Sequence, residues 1–178
     1  MTDRQGRDGP EEAPGEFARA LVENQRYADA FDRSKLTAAP LTGLAIVACM
    51  DARIAIEDAL GLRAGDAHII RNAGGLVTDD VIRSLIVSQQ LMGTNEIILI
   101  EHSGCGLHGA NEADIRARAA HVTGASPDSI DIEFGAFPDL EANLREQVDR
   151  LRTHPLLRHV PVHGLIYDVT TGRLYEIA

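Results

Sequence analysis

From Phe17 onward, the apolar positions fall into short continuous runs separated by stretches of helical period. Phe17, Leu21, Tyr27 and Phe31 lie close to one helical stripe, with Glu23, Asn24, Arg26 and Asp29 off it, which predicts an amphipathic helix. Ser34 to Gly43 reads as a loop. Leu44-Ala45-Ile46-Val47-Ala48 is apolar without interruption, the pattern of a strand covered on both faces in a parallel sheet, and it stops at Cys49-Met50-Asp51-Ala52-Arg53. Ala67-His68-Ile69-Ile70 is a second short strand, followed by Arg71-Asn72-Ala73-Gly74-Gly75. Thr78 reads as an N-cap, with Asp79 and Asp80 suiting the positive end of a helix whose apolar face is Ile82, Leu85, Ile86 and Met92 and whose C-cap is Gly93. Ile97-Ile98-Leu99-Ile100 is a third buried strand, ending at Glu101-His102-Ser103-Gly104-Cys105-Gly106. Asn111 to His121 is weakly helical. Pro138 fits the first position of a helix continued by Leu140, Leu144, Val148 and Leu151. Leu165-Ile166-Tyr167 and Leu174-Tyr175-Glu176-Ile177 flank Thr171-Gly172, a hairpin signal. Strands alternating with helices predict an α/β fold: a mainly parallel central sheet flanked by helices, with an antiparallel C-terminal edge strand.

Composition narrows the classes of function. The 178 residues suffice for one domain, and the expected division is a flexible tail over 1–15 and a single domain over 16–178. A formal net charge of −10 argues against nucleic acid or an anionic membrane as partner, because both need a basic face. No apolar run approaches the ~18 residues of a membrane span. The N-terminal segment lacks the apolar core of a secretory signal, so a cytoplasmic location is expected. Two cysteines cannot build a disulfide framework.

Ligands of open α/β sheets bind outside the carboxyl ends of the strands. Two buried strands end there in Cys49-x-Asp51-x-Arg53 and His102-x-x-Cys105, and these are the chain's only cysteines. Two thiolates and an imidazole form a known catalytic zinc set; a fourth position would fall to Asp51, another histidine or water. The competing readings are two buried cysteines acting as small hydrophobes beside a hydrogen-bonded core histidine, or a Cys49–Cys105 disulfide, which a reducing compartment opposes. The Arg71–Gly75 segment carries no nucleotide-binding pattern, and Asp79 and Asp80 would repel a phosphate. Its glycines, like Gly104 and Gly106, are expected to let the backbone approach the site closely.

Taken together and in this order, Cys49-Met50-Asp51-Ala52-Arg53, Arg71-Asn72-Ala73-Gly74-Gly75 and His102-Ser103-Gly104-Cys105-Gly106 resemble the β-class carbonic anhydrases, most of all their short bacterial and actinobacterial branch. That resemblance implies that Cys49, His102 and Cys105 bind Zn²⁺ and that Asp51 and Arg53 form a catalytic pair. It implies reversible hydration of carbon dioxide to bicarbonate and a proton by zinc-bound hydroxide. It also implies a homodimer or larger homo-oligomer, with the N-terminal helix packed on the partner. Relatives that hydrolyse carbonyl sulfide or carbon disulfide use the same ligands, so that chemistry is the alternative; a non-catalytic zinc-binding protein is a third reading.

The residue chemistry supports the implied roles. Thiolates neutralise the metal's charge, so a carboxylate that orients the attacking oxygen is useful, and Arg53 can hold Asp51 by a bidentate fork. An ordinary loop salt bridge is the competing reading of that pair. Many family members carry a glutamine shortly before the first core strand that helps bind bicarbonate; none occurs here between Gln25 and Cys49. In some members the aspartate leaves its arginine and ligates zinc, and a bicarbonate held partly by a tryptophan stabilises that closed form. This chain has no tryptophan, so Asp51 is expected to stay on Arg53 and leave an open, water-bound metal. His108, three residues past Cys105, is a candidate proton carrier and also an ordinary surface position; His68, His121, His154, His159 and His163 have no distinguishing context.

Overall fold

In the computed structural model, which describes residues 15–178, the apolar runs become the strands of one five-stranded sheet. Apart from Gly15, the tail expected over residues 1–15 lies outside the described residues. The chain falls into a unit ending at Leu36 and a unit from Thr37 to Ala178. In the first, helix α1 (Glu16–Asp29) forms over most of the predicted stripe but ends before Phe31, and Phe17, Leu21, Tyr27 and Phe31 are exposed.

The second unit contains strands β1 (Leu44–Cys49), β2 (Ala67–Asn72), β3 (Glu96–His102), β4 (Val162–Tyr167) and β5 (Leu174–Glu176), in the spatial order β2-β1-β3-β4-β5. The first four run parallel, and β5 returns antiparallel to β4. Both faces of the sheet are covered, as the unbroken apolar runs require. On one face Ala45, Val47, Ile97 and Leu99 pack against Val81, Ile82 and Leu85 of α3 (Asp79–Met92) and Leu144, Val148 and Leu151 of α5 (Leu140–Thr153). On the other, Ile46, Ala48 and Ile100 meet Ile54, Phe137 and Ile56, the last from the short helix α2 (Ile56–Leu60). Helix α4 spans Glu112–Thr123.

Side-chain caps set where the helices begin. The Thr78 hydroxyl accepts a bond from the N–H of Val81 (3.4 Å), and Asn111 Oδ1 accepts from Ala113 (2.8 Å). Pro138 does not occupy the first position of α5 as expected. Asp139 caps that helix by accepting from the Ala142 N–H at 2.8 Å, so the helix starts at Leu140 and the proline stands before the cap. Helix α2 and the 3₁₀ turns Ala73–Gly75 and Pro127–Ser129 have no counterpart in the periodicity, because none is long enough to show one.

The strand order places a reversal at β1: the chain steps to β2 on one side and then to β3 on the other. A crevice opens at such a point beyond the carboxyl ends of β1 and β3. The sequences at those ends are the two that carry Cys49 and His102.

Candidate metal centre

Cys49 is the last residue of β1, His102 is the last of β3, and Cys105 follows three residues later. Their ligand atoms all lie within 4.8 Å of one another, and all three residues are buried. Both cysteines are free thiols, so the competing disulfide does not form. His102 Nδ1 lies 3.0 Å from the carbonyl oxygen of Ser103, which makes it the N–H donor and leaves Nε2 with its lone pair. Nε2 is fully buried and has no hydrogen-bond partner. Burial lowers the proton affinity of this ring, keeping it neutral. Burial also pushes the Cys105 thiol up, opposed by the Leu107 and His108 N–H groups bonded to it. A bare imidazole nitrogen grouped with two thiols fits a soft divalent cation.

Asp51 and Arg53 meet as the fork expected of them. Arg53 Nε donates to Asp51 Oδ1 at 2.9 Å and a terminal nitrogen donates to Oδ2 at 2.7 Å, while the Arg53 backbone N–H also donates to Oδ1 at 2.9 Å. The Arg53 side chain, followed by its backbone N–H, holds the Asp51 carboxyl far below the usual carboxylate range. Asp51 Oδ2 faces the metal-ligand cluster, 3.8 Å from His102 Nε2. Arg53 also donates to the carbonyl of Gly104 at 3.0 Å, tying the loop after β1 to the loop after β3. A side chain on Gly104 would stand 3.9 Å from that guanidinium, whereas one on Gly106 would meet nothing within 4 Å, so the close approach expected at Gly106 does not occur.

The Arg71–Gly75 segment supports the floor of the centre. Asn72 Nδ2 donates to the Leu76 carbonyl (2.8 Å) and its Oδ1 accepts from the Leu76 N–H (2.9 Å), closing the turn on itself. Gly75, at φ +70°, lies against both ligand-bearing strands: a Cβ there would sit 2.9 Å from the Cys49 nitrogen and 3.0 Å from the Ile100 oxygen. This is the close backbone approach expected of the glycine pair, and it occurs at Gly75 alone, since a side chain on Gly74 would meet only those of Leu107 and Leu76. Gly75→Ala is expected to destabilise the fold by roughly 2–5 kcal/mol, combining left-handed strain with overpacking. Gly61→Ala, also at positive φ but in open space, is expected to cost about 1 kcal/mol. Denaturant melts of both variants check the difference.

The family model described as carbonic anhydrase matches residues 44–174. Beta-carbonic anhydrase 1 of Mycobacterium tuberculosis is 41% identical over 162 residues, covering 88% of this chain and 94% of that protein. The chain belongs to the β-carbonic anhydrase family. The crystal structure of carbonic anhydrase from Streptococcus mutans is similar to this chain with a TM-score of 0.85 and 42% identity, covering 91% of this chain and 97% of that one. A carbon disulfide hydrolase of Acidithiobacillus thiooxidans is 38% identical over 148 residues, 72% of this chain and 74% of that protein. The mainly parallel sheet with its antiparallel edge is the β-carbonic anhydrase fold.

In this β-carbonic anhydrase chain, two further residues lie close to the ligands along the sequence. His108 is exposed and its ring stacks on Phe137 with centroids 5.7 Å apart. Glu101 was not read from the sequence as anything but the end of a strand. It is fully buried on the side facing α5, where Oε1 accepts a bond from Asn143 (2.7 Å) and Oε2 has no partner. Burial pushes its carboxyl up to about 8, against the opposing effect of the Asn143 bond. The folded chain therefore holds this proton between the unfolded value near 4.5 and about 8, where the unfolded chain has released it. Stability from this group is complete below pH 4.5 and falls as pH rises to 8. Glu101→Gln is expected to flatten that decline by a few kcal/mol, at ~1.4 kcal/mol per tenfold change in proton affinity. Urea melts between those limits read it directly; an unchanged slope would dismiss the buried proton.

Proposed function

We propose that this chain catalyses the reversible hydration of carbon dioxide to bicarbonate and a proton, using Zn²⁺ held by Cys49, His102 and Cys105 and the pair Asp51 and Arg53. The observation that carries this reading is the unpartnered, fully buried Nε2 of His102 beside two free thiols, with an ionised carboxylate 3.8 Å away. A merely structural metal site has no use for such a carboxylate. Bound zinc supplies Lewis acidity that brings the ionisation of water down to near neutral pH.

The chain's own residues do the orienting. Asp51 Oδ1 is occupied by two donors from Arg53, whereas Oδ2 accepts only one, so Oδ2 keeps a lone pair toward the crevice. Held ionised, it accepts a hydrogen bond from the attacking water and turns the oxygen's free lone pair toward the carbon of the substrate. Arg53 keeps that carboxylate from swinging away, and its second anchor on Gly104 keeps Arg53 itself in place.

Stopped-flow measurement of carbon dioxide hydration on the zinc-loaded chain tests the reading, with kcat/KM for carbonyl sulfide and carbon disulfide taken on the same preparation. Carbon dioxide is the expected preferred substrate. The likeness to a carbon disulfide hydrolase makes the sulfur compounds the second reading, and a preference for them would change the substrate while keeping the site. Loss of zinc binding would overturn both.

We propose further that the chain is cytoplasmic, where its two thiols stay reduced, and that it works as a homodimer or larger homo-oligomer with residues 16–178 as one domain. The α1 stripe, with Phe17 78% exposed, is an apolar surface suited to a partner copy. Among the described residues no helix is long and apolar enough to cross a membrane. Light scattering at micromolar concentration is expected to give a dimer or larger, weakened by deletion of residues 1–32; a monomer would end this assignment.

A further inference from the structure

Arg71 belongs neither to the three metal-ligand candidates nor to the Asp51–Arg53 pair, yet its side chain grips the loop that carries members of both. From the end of β2, Nε donates to the carbonyl of Cys49 at 3.0 Å and a terminal nitrogen donates to the carbonyl of Asp51 at 2.7 Å. The β1–β2 register ends at Cys49 opposite Asn72, and the Met50 N–H donates to the Asn72 carbonyl at 2.8 Å. Past that bond β2 turns into the 3₁₀ turn at Ala73–Gly75, while β1 runs out into the loop with Asp51 and Arg53. The Arg71 fork therefore holds the chain where the sheet no longer does.

Two features make this more than a stray surface contact. Arg71 forms no ion pair among the described residues, so its guanidinium serves neutral carbonyls. The peptide groups on either side of Cys49 are also confined: even a methyl group added at Gly75 would come within 2.9 Å of its nitrogen, and Arg71 holds its carbonyl. A planar fork can bridge two carbonyls in fixed geometry, which the point charge of a lysine cannot.

We propose that Arg71 is a positioning residue of the metal centre. By fixing the carbonyls of Cys49 and Asp51, it sets where the Cys49 sulfur and the Asp51 carboxylate stand relative to His102 and Cys105, so the loop presents its share of the site preformed. This rests on the reading of Cys49, His102 and Cys105 as zinc ligands.

The test uses the full chain with Arg71→Gln and Arg71→Lys. Each is loaded with zinc for chelator challenge and kinetics, and with cobalt for the thiolate-to-metal absorption band. Thermal unfolding of the metal-free proteins tracks the fold separately. The expected result is zinc loss to chelator about 10–100-fold faster in Arg71→Gln, with a comparable fall in kcat, a KM within about twofold and an altered cobalt band, as is usual when a group supporting a ligand is removed. Arg71→Lys is expected to recover little of this, and it carries the test if the glutamine variant does not fold. A chelator rate and cobalt band equal to those of the unmodified protein would overturn the proposal, as would full recovery by lysine. If the unmodified chain itself fails to take up zinc, the underlying ligand reading falls with it; normal uptake with unaffected variants removes the role of Arg71 alone.

Discussion

Cys49→Ser is expected to remove the metal and the activity together. About one zinc per chain should accompany the unmodified protein, and the variant should keep only a small fraction of it. The reason lies in the donor set. Neutral serine hydroxyl is a poor ligand where a thiolate binds strongly, the cluster holds only one more sulfur and one imidazole, and the nearby Asp51 carboxylate is held by Arg53. Serine is nearly the same size as cysteine, and Cys49 is buried at the end of β1 in a side-chain cluster with Ile54, Cys105 and Phe137, so the fold should survive. Without the metal's Lewis acidity the remaining residues cannot make water nucleophilic at neutral pH, and hydration should drop by at least about 10³-fold. Elemental analysis per chain, circular dichroism and stopped-flow hydration on one sample read all three quantities. Full zinc retention with normal activity would take Cys49 out of the ligand set.

Arg53→Ala is expected to leave zinc bound but reduce kcat/KM by roughly 10²–10³-fold, through loss of the group that holds the orienting carboxylate. The substitution removes two of the three bonds on Asp51 and spares only the one from the backbone N–H at position 53. It also removes the main reason the carboxyl ionises so readily. Asp51 Oδ2, already 3.8 Å from His102 Nε2, then exchanges a charge-assisted bond for direct coordination of the metal. Crystals of both zinc-loaded proteins at about pH 7.5 separate the outcomes: Asp51 on Arg53 in the unmodified chain, Asp51 on zinc in the variant. An Asp51 oxygen at bonding distance from zinc in the unmodified protein would defeat this account of the pair. Retained activity in the variant would do so equally.

The parts of this molecule that were legible in the sequence are those whose signal is local. The runs at residues 44–48, 67–70 and 97–100 appear as strands because an unbroken apolar stretch between polar ends has few other ways to hide both faces. Thr78 and Gly93 bound α3 because a cap depends on the side chain and backbone of a few neighbouring residues. Cys49, Asp51, Arg53, His102 and Cys105 stood out because thiols, an imidazole and a carboxylate–guanidinium pair carry their chemistry with them, and they follow strands that must end at the mouth of the sheet. Even the fork between Asp51 and Arg53 is local, spanning two residues.

Residues whose role depends on a distant neighbour were not legible. Arg71 reads as one polar residue of a glycine-bearing turn until the β1–β2 register sets it beside the carbonyls of Cys49 and Asp51. Glu101 is an ordinary acid at a strand end until α5 packs over it and leaves its carboxyl buried with one partner. Gly106 reads like Gly75 in the sequence, yet open space surrounds it while two strands converge on Gly75. By itself, the sequence determined the chemical inventory and the local elements, since composition, periodicity and capping act over a few residues. Only the tertiary structure decided which atoms meet, because register and packing bring together groups 20 to 51 positions apart whose burial and partners no local pattern encodes.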